Sequence, residues 1–165
     1  MGIFSFAKDI GDKIFNRNKK DAAADLVNTQ ATQTPAEPTA QEIANLLLNR
    51  IQAQNVQISG LSVNYNADTD TVTLTGTAKT QADRERARLA VGNVQYVETV
   101  VDDIVVEVQE QESRFYTVQS GDTLSKIAKE MYGNANDYMK IFDANKPMLS
   151  DPDKIYVGQV LRIPN

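Results

Sequence analysis

The sequence predicts an α+β protein of two small domains preceded by an amphipathic N-terminal helix. Three observations carry this expectation. Apolar residues recur at helical spacing in some stretches and alternate with period two in others. Two segments, 28–38 and 110–114, carry no large apolar residue and read as flexible linkers that divide the chain. The 165 residues, 41% of them hydrophobic, suffice for two small cores joined by exposed connections.

Within residues 1–27, Ile3, Phe6, Ala7, Ile10 and Ile14 fall on one side of a helix, with Lys8, Asp9, Asp12 and Lys13 turned outward. This stripe is expected to pack on the next domain, because a membrane-surface helix would carry a polar face richer in lysine and arginine. The first folded domain is expected at 39–109. Thr39 and Glu42 form a capping box, and Ile43, Leu46, Leu47 and Ile51 supply the buried stripe of a helix running to about Gln52. Leu61, Val63 and Tyr65 alternate in one strand and Val72 and Leu74 in the next, with the Asn- and Asp-rich loop 66–70 between them. Gly76 ends the pair. Thr80 and Asp83 then cap a second helix, whose Ala82, Ala87, Leu89, Ala90 and Val91 are expected to face inward and whose Arg84, Arg86 and Arg88 are expected to face water. Gly92 and Asn93 stop it as a C-cap. The β-branched run from Val97 to Gln109 suits a third, largely covered strand, giving the order α-β-β-α-β with helices on a three-stranded sheet. The second domain, 115–165, reads as β-α-α-β: a strand at 115–118, a helix entered through Asp122, another around Asp137–Asp143, and a closing strand in QVLRIP.

Composition excludes much chemistry. With 17 Lys+Arg against 22 Asp+Glu the net charge is −5, which disfavours nucleic acid and anionic lipid as partners. Without cysteine or histidine the chain can form no disulfide, no ordinary zinc site and no Ser-His or Cys-His nucleophile. Asp102 and Asp103 point to opposite faces of a strand and make no carboxylate dyad. A calcium loop starting at Asp68 would need glycine and glutamate where Thr73 and Lys79 stand. No enzyme is expected. No stretch approaches the roughly 18 apolar residues of a membrane span, and the N-terminus lacks the cationic and continuous apolar regions of a secretion signal. A cytoplasmic location without stable membrane insertion is therefore expected, and a monomer, since nothing marks a self-complementary surface.

The α-β-β-α-β order, the VTLTG motif and the run AVGNVQYVETVVDDIVV resemble the BON domain, a small α+β module of bacterial cell-envelope and stress proteins, over about residues 40–109. The stretch FYTVQSGDTLSKIAKEMYG, the ANK that follows the second helix and the ending KIYVGQVLRIP resemble the LysM module. That resemblance implies a groove for N-acetylglucosamine polymers, lined by Gly121, Asp122, Thr123 and Leu124 on one side and Asn145, Lys146, Pro147 and Ile155 on the other. The same residues have structural uses: Asp122 or Thr123 as a helix cap, Gly121 in a turn, Leu124 in a core. Because peptidoglycan lies outside the cytoplasmic membrane, docking on the first domain is the preferred role of the module, and a peptidoglycan-binding envelope protein is the alternative.

An N-terminal helix, one BON domain and one C-terminal LysM domain is the arrangement of the small cytoplasmic potassium-binding proteins of proteobacteria. The chain is similar to them over nearly its whole length, including MGIFSFAKDIGDKIF and IFDANKPMLSDPDKIYVGQVLRIP. The resemblance implies selective binding of K+, accompanied by compaction, with the BON domain as main binder and LysM stabilising the bound form. A weakly hydrated cation is best held by several neutral carbonyl oxygens, whereas clustered carboxylates favour calcium or magnesium. The last turn of a helix leaves about four carbonyls without intrahelical partners at the negative end of the dipole. With the resemblance carrying the choice, the expected K+ ligands are backbone oxygens of Ala7, Ile10, Gly92, Val94 and Val97, Gly11 letting the N-terminal carbonyls turn outward. The alternative for Gly92 is an ordinary left-handed helix cap.

Overall fold

A computed structural model of the chain describes residues 2–6 and 37–165. The first domain contains β1 (Gly2–Ser5), α1 (Ala40–Gln52), β2 (Ile58–Asn66), β3 (Thr71–Thr80), α2 (Gln81–Gly92) and β4 (Thr99–Val108). Its sheet has the order β1-β4-β3-β2. β2 and β3 form the antiparallel hairpin, with Tyr65 opposite Val72, while β3 and β4 run parallel, with Val72 opposite Val100. A parallel pair needs a crossover connection, and α2 supplies it. The α1 capping box forms as the sequence predicts: Thr39 accepts from the Glu42 N–H, and the Glu42 carboxylate accepts from the Thr39 N–H at 2.7 Å. Ile43, Leu47 and Ile51 of α1 meet Tyr65, Val72, Leu74, Val100 and Ile104 of the sheet, and Ala87, Ala90 and Val91 of α2, in one core.

The N-terminus departs from expectation. Residues 2–5, where the spacing predicts the start of a helix, form a strand antiparallel to β4, with Ile3 opposite Val101. The sheet is therefore four-stranded rather than three-stranded. An open edge of β4 offers unpaired N–H and C=O groups, and a short segment whose apolar pattern suits either period satisfies them by pairing. Ala7, Ile10, Ile14 and the rest of the expected helix lie outside the described residues. β4 also departs: Val100, Asp102 and Ile104 are buried but Val105, on the opposite face, is exposed because helices cover one face of the sheet only, and Val108, on the covered face, is exposed at the strand's end.

The second domain contains β5 (Arg114–Thr117), α3 (Leu124–Tyr132), a 3-10 turn (Ala135–Asp137), α4 (Tyr138–Ala144) and β6 (Val160–Ile163), with β5 and β6 antiparallel. Val118, Leu124, Ile127, Ile141, Phe142, Leu161 and Ile163 form its core. Thr123, not Asp122, caps α3 by accepting from the Lys126 N–H at 3.2 Å. Asp122 instead accepts from the Gln119 N–H and the Tyr116 hydroxyl, both at 2.8 Å. That hydrogen bond pushes the Tyr116 hydroxyl up to about 12.

The two domains share α2. Its arginines are expected in water, but Arg84 and Arg88 turn toward β4, Arg88 also meets the second domain, and Arg86 lines the crevice between the domains. Arg88 is 1% exposed; its guanidinium bonds Asp102 at 3.4 Å and lies between the rings of Phe4 and Phe115, 3.7 and 4.4 Å from their centroids. Arg84 bonds the same Asp102 carboxylate at 3.0 Å, and the other Asp102 oxygen accepts from the Ile104 N–H at 3.1 Å. Breaking a buried pair leaves a charge without compensation. Asp102→Asn is expected to cost about 3 kcal/mol in urea unfolding. Asp103→Asn, on the opposite face of the strand, should stay within about 0.5 kcal/mol of the parent.

Candidate functional site

The link from α2 to β4 presents a run of backbone oxygens. α2 ends at Asn93, whose N–H donates to Leu89 and Val91, and two tight turns follow: Val94 N–H to Val91 at 3.3 Å and Val97 N–H to Val94 at 3.0 Å. Besides Val91 and Val94, which accept in these turns, four carbonyls of this stretch are occupied. Arg50 Nε donates to Ala90 at 2.9 Å, the Tyr156 hydroxyl to Asn93 at 3.3 Å, the Tyr65 hydroxyl to Tyr96 at 2.8 Å, and the Phe6 N–H to Glu98 at 2.8 Å. The carbonyls of Gly92 and Val97 accept no hydrogen bond from any described residue. Gly92, Val94 and Val97 are all buried.

The far end of the link is fixed by the hairpin. Asp70, with φ +46, turns its carbonyl to accept from Glu98 and Thr99, and the buried Tyr65 hydroxyl shares its proton between Asp70 and Tyr96. Burial, then the Asp70 carboxylate, pushes the Tyr65 hydroxyl well above the usual phenol value. Among the described residues no group of three or more carboxylates could hold a metal ion. The backbone oxygens of this link are neutral donors, of the kind that suits a large monovalent cation better than calcium or magnesium.

The requirement for glycine at 92 has a different cause from the one the sequence suggests. Asn93 has φ −82 and ψ 16, so the helix does not end in a left-handed cap. A Cβ at residue 92 would instead overlap the ring carbons of Phe6. Phe6 thereby seats the described end of the N-terminal segment directly on the last turn of α2. Ala7 and Ile10, the remaining expected ligands, lie outside the described residues. Sequence reasoning missed Arg50, Tyr65, Phe6 and Asn93 as the groups that hold this link. Asn93 stood next to the chosen Gly92 but read only as a cap.

The residues expected to line a glycan groove separate into two sets. Gly121 (φ +84), Thr123, Lys146 and Pro147 are exposed, while Leu124 and Asn145 are buried, at 2% and 3% exposure. Asp122 is half-buried and engaged as described above, and Ile155 packs against the second core. Lys146 pairs with Asp143 at 2.7 Å. Asn145 grips β6: its Nδ2 donates to the Arg162 carbonyl and its Oδ1 accepts from the Arg162 N–H, both at 2.8 Å. With Met148, Asn145 and Lys146 line a crevice whose other wall is Gln54, Arg86 and Leu89 of the first domain. One side of the expected groove is thus turned toward α2.

Docking of the domains is polar and specific. Glu85, fully buried, accepts from Arg162 Nε, from the Ser113 N–H at 2.8 Å and from Gln81 Nε2 at 3.1 Å. Burial pushes its carboxyl up, but the hydrogen bonds from Arg162, Ser113 and Gln81 outweigh burial and hold it below the usual glutamate value. A depressed folded pKa gives stability that is complete above the unfolded pKa of about 4.3 and is lost as pH falls through the folded one. Stability measured from pH 5 downward should therefore fall less steeply in Glu85→Gln than in the parent.

The close approach at Gly92 has its own test. Gly92→Ala should cost about 1–3 kcal/mol by overpacking against Phe6. In a Phe6→Ala background the same substitution should cost less than half as much, a non-additivity that a double-mutant cycle in urea would measure.

Comparison with known proteins agrees with this architecture. The BON domain family matches residues 38–108 and the LysM domain family residues 116–164. An uncharacterized protein of Deinococcus radiodurans is 53% identical over 49 residues, which are 30% of this chain and 19% of that one. The potassium binding protein Kbp of Escherichia coli O6:H1 is 41% identical over 168 residues, covering 99% of each chain. The similarity thus extends from end to end and takes in both domains, and the chain belongs to the family of the potassium binding protein Kbp.

Proposed function

We propose that this chain binds potassium selectively through backbone carbonyls and acts as a monomeric cytoplasmic K+ sensor or buffer rather than as an enzyme. The observation that carries the reading is the 41% identity, over 99% of both chains, with a relative named for potassium binding. The ligands are the carbonyls of Gly92, Val94 and Val97, joined by Ala7 and Ile10 from the N-terminal segment. Potassium gives up its hydration shell at modest cost, so a few fixed carbonyl dipoles can replace it. Sodium, smaller and more strongly hydrated, is served less well by the same spacing.

Compaction follows from where the site lies. Phe6 of the N-terminal segment, Gly92 of the BON domain and Asn93, which bonds β6 of the LysM domain, are neighbours around the link. An ion held there favours the arrangement in which all three parts are docked. The glycan alternative has less in its favour, because Asn145 is committed to β6 and Lys146 lines the crevice against the first domain.

Thermal unfolding in potassium and in sodium at equal ionic strength tests the reading. A ligand that binds the folded state at 100 times its Kd stabilises it by about 2.7 kcal/mol. A midpoint raised in potassium alone is the expected result. Equal midpoints in the two salts would defeat the potassium reading and make retention on peptidoglycan the next experiment.

A further inference from the structure

We infer that Asn93 is a positioning residue through which the second domain sets the geometry of the carbonyl link and hence its preference among cations. The inference rests on the potassium reading above. It starts from β6, which pairs with β5 along one edge and leaves the other open. Val160 and Arg162, two positions apart, turn their N–H and C=O groups to that open edge. Each meets one asparagine. The Arg162 pair is taken by Asn145 at 2.8 and 2.8 Å, and the Val160 pair by Asn93, whose Nδ2 donates to the carbonyl at 2.9 Å and whose Oδ1 accepts from the N–H at 2.8 Å.

Both asparagines are C-caps, Asn145 of α4 and Asn93 of α2. The first domain therefore treats the open strand as the second domain's own helix does. A primary amide is suited to this because it offers one acceptor and a donor side by side, as a neighbouring strand would; aspartate lacks the donor and leucine lacks both. Asn93 is 3% exposed, and Met148 Sδ lies 3.4 Å from the same Nδ2. Its amide is thus buried with every described polar contact coming from the second domain.

The consequence for the link follows from peptide planarity. The Gly92 carbonyl shares a plane with the Asn93 N–H and points the opposite way. The N–H is tied to Leu89 and Val91, the side chain to Val160, and the Asn93 carbonyl to the Tyr156 hydroxyl at 3.3 Å. The two peptide planes on either side of residue 93 are held together, which aims the Gly92 oxygen and starts the turn that carries Val94. Discrimination between ions of one charge depends on how firmly such oxygens keep their spacing and direction. Docking of the second domain supplies that firmness at one residue.

The test compares three variants of the full chain with the parent: Asn93→Leu, Asn93→Asp and Glu85→Gln, the last loosening the same domain interface away from the link. Melting in sodium measures loss of docking and confirms folding, and titration calorimetry measures affinity for potassium and for sodium. Asn93→Leu is expected to weaken potassium binding about tenfold, the equivalent of one hydrogen bond, and to narrow the potassium-to-sodium ratio. Glu85→Gln should lower the sodium midpoint but keep the parental ratio. If Asn93→Leu does not fold, Asn93→Asp, which keeps the acceptor for the Val160 N–H, carries the comparison. Parental affinity and ratio in the Asn93 variants would overturn the inference, as would an equal narrowing in Glu85→Gln, which would reduce Asn93 to interface adhesion. A parent that binds no potassium would overturn the underlying reading as well, an outcome distinct from a parent that binds and variants that match it.

Discussion

The guanidinium of Arg88 sits where three parts of the chain meet, and their arrangement depends on how its burial is compensated. Taking such a group out of water costs several kcal/mol. Burial pulls its pKa down, and the charges of Asp102 and Glu85 oppose that. Beyond Asp102, the compensation comes from the faces of Phe4 on β1 and Phe115 on β5, either of which can favour a desolvated cation by 1–2 kcal/mol in order of magnitude. Each ring belongs to a different segment, so the charge is well housed only when the N-terminal strand and the second domain are both in place.

This makes α2 the shared element of two cores. One side carries Ala87, Ala90 and Val91 into the sheet domain, another carries Glu85 and Asn93 to the second domain, and Arg88 lies between the sheet and Phe115. A polar interface of this kind is directional. Hydrogen bonds from Ser113, Arg162 and Val160 fix the register of docking, whereas an apolar contact of the same area would let the domains slide. The open edge of β6, which would otherwise be an invitation to pair with another chain, is closed by two asparagine side chains.

At the end of the same helix these constraints converge on a short run of carbonyls. Arg50, Tyr65, Tyr156 and Phe6 occupy the oxygens around it, and the oxygens of Gly92 and Val97 are left without such partners among the described residues. The proposed site and the domain interface therefore involve adjacent residues of one helix end. An ion there and the docking of the domains would act on the same atoms, which is the physical basis for coupling the two.

The sequence by itself determined the α+β class, the capping box at Thr39, the hairpin and the helix ending at Gly92, because these rest on local periodicity and cap chemistry that a single segment expresses; both domain types were legible through the resemblance of their motifs. It also excluded thiol and histidine chemistry, since the chain has no cysteine and no histidine. Tertiary structure decided the rest. Ile3 and Phe4 fit a helix or a strand equally in so short a run, and the open edge of β4 chose the strand. Arg88 reads as a solvated residue on an amphipathic helix, and only the presence of a second covering layer puts it inside. Gly92 reads as a cap and is required by the ring of a residue 86 positions earlier in the chain. Asn93 reads as a helix stop, and its partner Val160 is 67 residues away. Contacts at such distances leave no period in the sequence, so they become visible only when the chain has folded around them.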